Sequence, residues 1–528
     1  MKITRRSFLA ASTLVEAFGS CGLNPALAGP RSRTRSFHLC TNTDALKKYP
    51  DFLDLIVRSG ITDIWMPLFL NGYFPYKMEE IALWKKRFEQ KGIPVQMANV
   101  PFGHPGNSLG GAPELDTTPA DWPKGVDLDG KRYSGTSVHP YVTAQNVAAI
   151  RKVRETGSNK LFLDDDFRLA RSPGQVGGCF CPEHRQAFLQ KYGYQAKDWE
   201  QLKAEIRART LSRLVGDWVD FSCDELTGSF RAQQEAAPEV ELGIMVMYLG
   251  SEKAGIRLAD YKGKLFRVGE LMFEDRTFAP VKGKTNELFS ALFHRRFAEP
   301  ERAYSETTAW PQDKLSAANM AAKLHITTLA DIRNTMMMSG LEPFPLSHWS
   351  TLAPAMKKAA AIHRQVAGHT PRGPFKHYWG ERERRIGRDQ PNSLFLAAGI
   401  PFEVTAEPAA DGWTFLGEFD AADAASGQLR SPGTAWICAA EKYRASSALR
   451  LVPENLKELF SLKKEILPAL KGIPYVEEDL PAVCAWYPSL KKVLLWNLSE
   501  SAVSLTVRRD DRRRAVRLEA LDAALVPV

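Results

Sequence analysis

Three consecutive carboxylates, Asp164, Asp165 and Asp166, follow the apolar run Leu161-Phe162-Leu163 and precede Phe167-Arg168. Like charges packed this closely repel, so at least one carboxyl is driven to keep its proton towards neutral pH unless a cation compensates. A protonated carboxyl near an ionised one is what general acid catalysis requires. A further carboxylate, Glu306, ends the run Ala303-Tyr304-Ser305-Glu306, and Trp310 follows four residues later. That places a nucleophile or base beside a ring able to stack on a pyranose face. Two such carboxyls flanking one bond are the requirement for glycoside hydrolysis, and a retaining pair would stand about 5–5.5 Å apart. Glu274 and Asp275, in Phe273-Glu274-Asp275-Arg276, are additional carboxylates, with an ion pair to Arg276 as their plainer use.

A second group of chemically capable residues is Cys179-Phe180-Cys181-Pro182-Glu183-His184. Two thiols and an imidazole at this spacing suit a tetrahedral Zn²⁺ site. The fourth ligand must come from elsewhere, with His139, His104 and Cys40 as candidates. Two buried thiols beside a hydrogen-bonded histidine are the alternative use of the same residues.

These groups need a scaffold. From Ser36 to about Gly340, short β-rich runs alternate with amphipathic helical stretches, the pattern of a parallel sheet wrapped by helices. Eight runs are expected as strands: Phe37–Asn42, Thr62–Leu68, Pro94–Val100, Lys160–Asp166, Glu241–Met247, Phe266–Phe273, Arg302–Glu306 and Thr335–Leu341. Eight units in about 300 residues suit an α/β fold of the (β/α)8 TIM-barrel type, whose active site lies at the C-terminal strand ends. A doubly wound sheet is the other arrangement open to this pattern. Both carboxylate groups fall at such ends, after the fourth and seventh runs. So do the rings Trp65, Tyr73, Phe74 and Tyr76 after the second run, and Trp349 after the eighth. The Gly- and Pro-rich insertion Phe102–Val138 would help to shape the mouth. The expected organisation is a leader at 1–28, a catalytic barrel at 29–368, a small α/β domain at 369–480 and a C-terminal antiparallel β-domain at 481–528.

The stretch Asp165-Asp166-Phe167-Arg168, followed by Gly178 to His184, Ala187-Phe188 and Lys191-Tyr192-Gly193, resembles a segment of glycoside hydrolase family 42, the clan A β-galactosidases. There the pattern is Asn-Glu-Tyr, then Cys-Tyr-Cys-x-x-Cys, Ala-Phe and Lys-Tyr-Gly. The segment Ser305-Glu306 to Trp310 is similar to that family's seventh-strand end. The resemblance implies Asp166 as acid/base and Glu306 as nucleophile, with Trp349 similar to an eighth-strand Trp common in clan A barrels; Asp165, Arg168, Trp310 and Glu274 are the further residues expected towards the substrate. It also implies a structural zinc at Cys179, Cys181 and His184, with no cofactor required for catalysis. Gly399 to Val404 and the β tail are similar to the family's additional domains in shortened form. Asp166 stands in place of a Glu, and Asp165 in place of an Asn that contacts the sugar 2-hydroxyl. These departures point to a separate, related family.

The chain begins Thr4-Arg5-Arg6-Ser7-Phe8-Leu9, then runs through a short apolar stretch to Ala26-Leu27-Ala28. This is the pattern of a twin-arginine export signal, implying a periplasmic or secreted protein. Lipid anchoring at Cys21 is a second processing route. A net charge of +9 over 528 residues is modest, and no basic stripe interleaved with aromatics appears, so a nucleic-acid partner is not expected. No transmembrane span follows the leader. The expected partner is an oligo- or polysaccharide, and a homo-oligomer is left open. There is no Gly-rich phosphate loop, no HExxH and no nucleophile-elbow serine. Two other functions fit the residues: a carbohydrate-binding barrel without turnover, and a metal-dependent hydrolase with Asp164–Asp166 as ligands.

Overall fold

The computed structural model describes residues 35–103, 118–164, 167–431 and 433–528. The expected leader with Cys21, His104, and the aspartates Asp165 and Asp166 lie outside the described residues.

Eight parallel strands close on themselves in chain order: β1 (Ser36–Cys40), β2 (Asp63–Leu70), β3 (Val95–Val100), β4 (Lys160–Leu163), β5 (Glu241–Met245), β6 (Leu265–Arg267), β7 (Ala303–Thr308) and β8 (Asn334–Met338). β8 pairs with β1 through Ser36 opposite Asn334, which completes the barrel expected from the sequence. The sixth expected strand overran the observed one. Its chain leaves the sheet after Arg267, because at Gly269 the backbone passes so near the Val246 carbonyl that a Cβ would collide with it.

Strand periodicity explains what fills the barrel. Trp65, Phe162, Leu265, Tyr304 and Met336 point inward and form one apolar layer, closed by the Trp65 indole donating to His38 at 3.2 Å. Side chains two residues further along each strand face the same way. The next layer towards the C-terminal end is therefore Cys40, Asp164, Arg267, Glu306 and Met338. A tightly packed apolar floor beneath a charged layer is how this sequence positions its carboxylates.

Beyond the barrel, a five-stranded parallel sheet has the order β10 (Phe402–Thr405), β9 (Phe375–Tyr378), β11 (Gly412–Leu416), β12 (Thr434–Cys438), β13 (Arg450–Leu451). Two antiparallel three-stranded sheets follow. One is β14 (Tyr475–Val476), β17 (Val503–Arg509) and β18 (Arg512–Leu518); the other is β15 (Ala482–Tyr487), β16 (Lys492–Asn497) and β19 (Ala523–Pro527). They enclose a core of Val476, Cys484, Val493, Leu495, Leu505 and Val507. Among the described residues, no helix is long and apolar enough to cross a membrane, and the cysteines are free thiols.

Candidate active site and metal centre

Glu306 sits on β7, only 4% exposed, at the C-terminal mouth of the barrel. Arg267, at the end of β6 and 1% exposed, lies between it and β4. One guanidinium nitrogen is 2.9 Å from Asp164 Oδ1 and the other 3.3 Å from Glu306 Oε1. Burial would make either carboxylate costly alone; sharing one buried cation offsets that cost for both. Glu306 also accepts the Glu270 backbone N–H and the Thr308 hydroxyl, each at 3.4 Å. A small cleft of about 70 Å³ opens beside this layer, lined by Cys40, Asn42, Trp65, Asp164, Gly340 and Leu341 among others. Burial pushes the Cys40 thiol up to about 12, so it remains protonated next to the carboxylates.

Glu306 is backed by a fully buried ionic cluster that the sequence reading did not single out. Lys323, on the helix Ala317–Leu329, contacts Glu270 at 2.7 Å and Glu287 at 3.6 Å, and all three side chains are inaccessible. Glu287, on the helix Val281–His294, accepts the backbone N–H groups of Leu271, at 2.7 Å, and Met272. Burial pushes Glu270 up to about 8, against the opposing charge of Lys323. Burial works against Lys323 too, yet the two carboxyls raise its pKa and keep the ammonium charged. A proton kept on Glu270 reduces the net charge that burial would otherwise leave around the Lys323 ammonium.

The remaining site residues fall as follows. Trp310 is partly exposed and lies over Gly340, whose positive φ of 69° and missing Cβ allow the approach; a Cβ there would be 3.0 Å from the ring. Arg168 is buried, and its Nε donates to the Ala170 carbonyl at 2.9 Å. Glu274 pairs with exposed Arg276, its plainer reading. Trp349 is a core ring, 2% exposed and packed on Phe344 at 5.3 Å, with no open face for a sugar. Trp65 is likewise in the barrel interior, whereas Tyr73 and Phe74 are exposed at 36% and 39% after β2.

The second cluster assembles from two helix starts. Pro182 opens the helix Pro182–Tyr192 with Cys181 as its N-cap, so Cys181 and His184 stand one turn apart on one face. Pro140 opens the helix Pro140–Glu155 with His139 as its N-cap. His139, Cys179, Cys181 and His184 are all buried, with one ligand atom from each lying within 4.8 Å of the others. Tetrahedral zinc bonds of about 2.0–2.3 Å place donors roughly 3.3–3.8 Å apart, so a small contraction completes a site. The donor set fits. His184 Nδ1 is 3.0 Å from Cys181 Sγ while its Nε2 meets the Val138 carbonyl at 2.9 Å, which orients the ring for ligation. His139 Nδ1 meets Glu183 at 3.0 Å, and its buried Nε2 has no hydrogen-bond partner among the described residues. Hydrogen bonding from Cys179, with help from His184, lowers the Cys181 thiol to about 3, a thiolate ready to ligate. Of the two fourth-ligand candidates among the described residues, His139 is in this cluster and Cys40 lies in the barrel mouth.

No described protein family matches the sequence, and no curated protein sequence resembles it. Solved structures share its fold. The β-galactosidase of Bacillus circulans sp. alkalophilus superposes with a TM-score of 0.62 at 8% identity, covering 94% of this chain and 99% of that one. The cold-adapted β-galactosidase of Rahnella sp. R3 gives 0.61 at 10% identity, covering 94% and 98%. That of the psychrophilic Marinomonas ef1 gives 0.58 at 9%, covering 93% and 99%. The likeness thus spans the barrel and both additional parts.

Proposed function

We propose that the protein is an exported glycoside hydrolase acting on a non-reducing-end glycoside by a retaining mechanism. The observation that carries this reading is the Asp164–Arg267–Glu306 layer at the C-terminal mouth of a closed barrel, which keeps Glu306 buried, paired and aligned. In the reaction, a Glu306 oxygen attacks the anomeric carbon as the bond to the leaving oxygen breaks, and Asp166 supplies the proton that oxygen takes up. Asp166 then removes a proton from water, which displaces Glu306 and regenerates both groups. Arg267 stabilises the Glu306 carboxylate on which the first step depends. The exposed rings Tyr73 and Phe74, with Trp310, supply stacking faces for the substrate. The guanidinium between Asp164 and Glu306 already provides the positive charge that a metal-dependent hydrolase would draw from a cation there.

Cys179, Cys181, His184 and His139 would hold a structural zinc, tying the start of the helix Pro140–Glu155 to that of Pro182–Tyr192. Zinc there supplies cross-linking rather than chemistry. Export through the twin-arginine route is consistent with this, because its substrates fold before translocation.

The test is a panel of activated aryl glycosides together with matching 2-deoxy-2-fluoro glycosides, followed by peptide mapping. Turnover of one glycoside, with its fluorinated analogue covalently attached at Glu306, is the expected result. Attachment elsewhere, or no turnover of any member, overturns the reading.

A further inference from the structure

The hairpin of β17 and β18 carries six arginines, Arg508, Arg509, Arg512, Arg513, Arg514 and Arg517, against Asp510 and Asp511 in its turn. Strand parity divides them. Arg508 and Arg513, paired across the ladder, face outward and share Glu477 at 3.4 and 2.8 Å, while Arg517 meets Glu519 at 3.4 Å. The other set continues the inward positions of Leu505 and Val507 on β17 and of Val516 and Leu518 on β18. On that face Arg509 lies opposite Arg512, and Val507 opposite Arg514. The hydrophobic core gives way to arginine along one face of one sheet.

This inward set has no acidic counterpart: among the described residues, no carboxylate lies within ion-pair distance of Arg509, Arg512 or Arg514. Arg509 stacks on Trp486 at 5.1 Å and donates to the Gly472 carbonyl at 2.9 Å, so its guanidinium is held in place. Arg514 reaches the Pro527 carbonyl at 3.5 Å across the gap to β19. Together with Arg512, and with Arg513, Pro527 and Val528 at its rim, they line a groove of about 470 Å³ between the two sheets. Charged side chains are a common defence of an edge strand such as β18 against pairing with other chains. That defence explains charge on the edge. It does not explain why Arg508, Arg513 and Arg517 are neutralised while Arg509, Arg512 and Arg514 are not.

We infer that this groove is a second binding site, separate from the barrel mouth, for a carboxylated or sulfated glycan chain. Guanidinium groups pair in a planar fork with carboxylate and sulfate. Alternate positions of one strand place Arg512 and Arg514 about 7 Å apart, a spacing for successive anionic groups rather than for one. Neither strand carries an aromatic residue and the Trp486 ring is buried beneath Arg509, so no open ring offers a nucleic-acid base a stacking face, and there is no apolar face that would enter a membrane. That the anion belongs to a carbohydrate rests on the glycosidase reading above; that the groove takes a polyanion does not.

The full mature protein tests this. Polygalacturonate is the probe, with neutral dextran, duplex DNA and phosphatidylglycerol vesicles as comparisons, titrated at low salt. Arg512→Ser with Arg514→Ser should weaken polygalacturonate binding by about tenfold or more and leave the melting temperature unchanged, since neither side chain packs in the core. Arg517→Ser should change binding less than about twofold, because its charge is already met by Glu519. Absence of polygalacturonate binding, equal binding by the double variant, or tighter binding to DNA or vesicles at equal charge would overturn the inference. Hydrolysis of small neutral aryl glycosides, read in parallel, should be the same in wild type and double variant. A protein that binds polygalacturonate through Arg512 and Arg514 yet hydrolyses no glycoside would sink the glycosidase reading and leave the groove standing.

Discussion

The guanidinium of Arg267 lies 3.3 Å from the carboxylate of Glu306, with both side chains buried in the barrel mouth. A charge-assisted contact in such a site holds the carboxylate in position. Arg267→Lys preserves the charge but cannot span from Asp164 to Glu306. It should lower kcat by roughly a hundredfold with a smaller change in KM. Arg267→Met should also lower the melting temperature, since it leaves two buried carboxylates without their cation. Steady-state kinetics and thermal unfolding on both variants check this, and unchanged kcat in Arg267→Lys would remove Arg267 from the catalytic layer.

The three aspartates can be separated by leaving group. Asp166→Asn should abolish turnover of glycosides with poor leaving groups while sparing the first step on activated aryl glycosides, which need no protonation. Glu306→Ala should abolish both, with azide restoring turnover as a glycosyl azide of inverted configuration. Asp164→Asn should behave as Arg267→Lys does, because Asp164 acts through the shared guanidinium. If Asp165→Asn rather than Asp166→Asn shows the leaving-group pattern, the acid is Asp165.

Much of this architecture is legible in the sequence, because each barrel strand is a short apolar run bounded by helical periodicity. Glu306 and Asp164 stand out as carboxylates at the ends of such runs. Arg267 does not: in Leu265-Phe266-Arg267-Val268 it reads as an ordinary cation, and only the closed topology places it between β4 and β7. The signal was nonetheless present as parity, two residues beyond inward Leu265. Lys323, Glu270 and Glu287 are separated by long stretches of chain, and nothing local in Met320-Ala321-Ala322-Lys323 marks a buried ammonium. Trp349 misleads for the opposite reason: it follows β8, but it begins the helix Trp349–Val366 and turns into the core.

Metal analysis of protein purified without chelator should give about one zinc per chain, and His139→Ala or Cys181→Ser should reduce it to a small fraction. The cluster joins two helix starts and lies outside the Glu306 layer. Zinc loss should therefore lower the melting temperature by several degrees while kcat for the remaining folded enzyme changes less than about twofold. Wild-type protein devoid of zinc, with an unchanged melting temperature after chelation, would make these residues a packed thiol–imidazole cluster instead.

Glu383 and Asp420 form a buried carboxyl pair beyond the barrel, each 2% exposed, accepting the Phe419 and Gly380 backbone N–H groups at 2.7 and 2.6 Å. Burial pushes Glu383 up to about 8, with the Asp420 charge adding to it, and burial pushes Asp420 up to about 7. Their folded values exceed the unfolded ones, so their stabilisation is full below the ordinary carboxylate range and is lost as pH rises through about 7–8. The buried neutral histidines His38, His294, His325 and His377 push the other way only below about pH 6.5. Between about pH 7 and 9, therefore, this pair should lose stabilisation on the order of 2 kcal/mol, with Glu270 titrating in the same direction and Lys463, pushed down to about 8 by burial, in the opposite one, and Glu383→Gln should remove its own part of the fall. Chemical denaturation at three pH values measures it, and parallel slopes in wild type and variant would show that Glu383 does not titrate there.

The buried Lys323–Glu270–Glu287 cluster should govern the nucleophile through the backbone. Glu287 fixes the chain at Leu271 and Met272, and that chain presents the Glu270 N–H to Glu306 at 3.4 Å. Lys323→Met strands buried carboxyls without a counter-ion and should cost about 3–5 kcal/mol of stability, so it reports on folding more than on catalysis. Glu287→Ala and Glu287→Gln are the informative pair. Glutamine keeps a carbonyl oxygen for the two backbone N–H groups, whereas alanine leaves them unsatisfied and frees the loop. Glu287→Ala should lower kcat by roughly ten- to a hundredfold with KM little changed, the mark of an interaction strengthened at the transition state. Glu287→Gln should recover most of that loss. If both variants lower the melting temperature equally but leave kcat at the wild-type value, the cluster supports the fold alone and Glu306 is positioned by Arg267 and Thr308 without it.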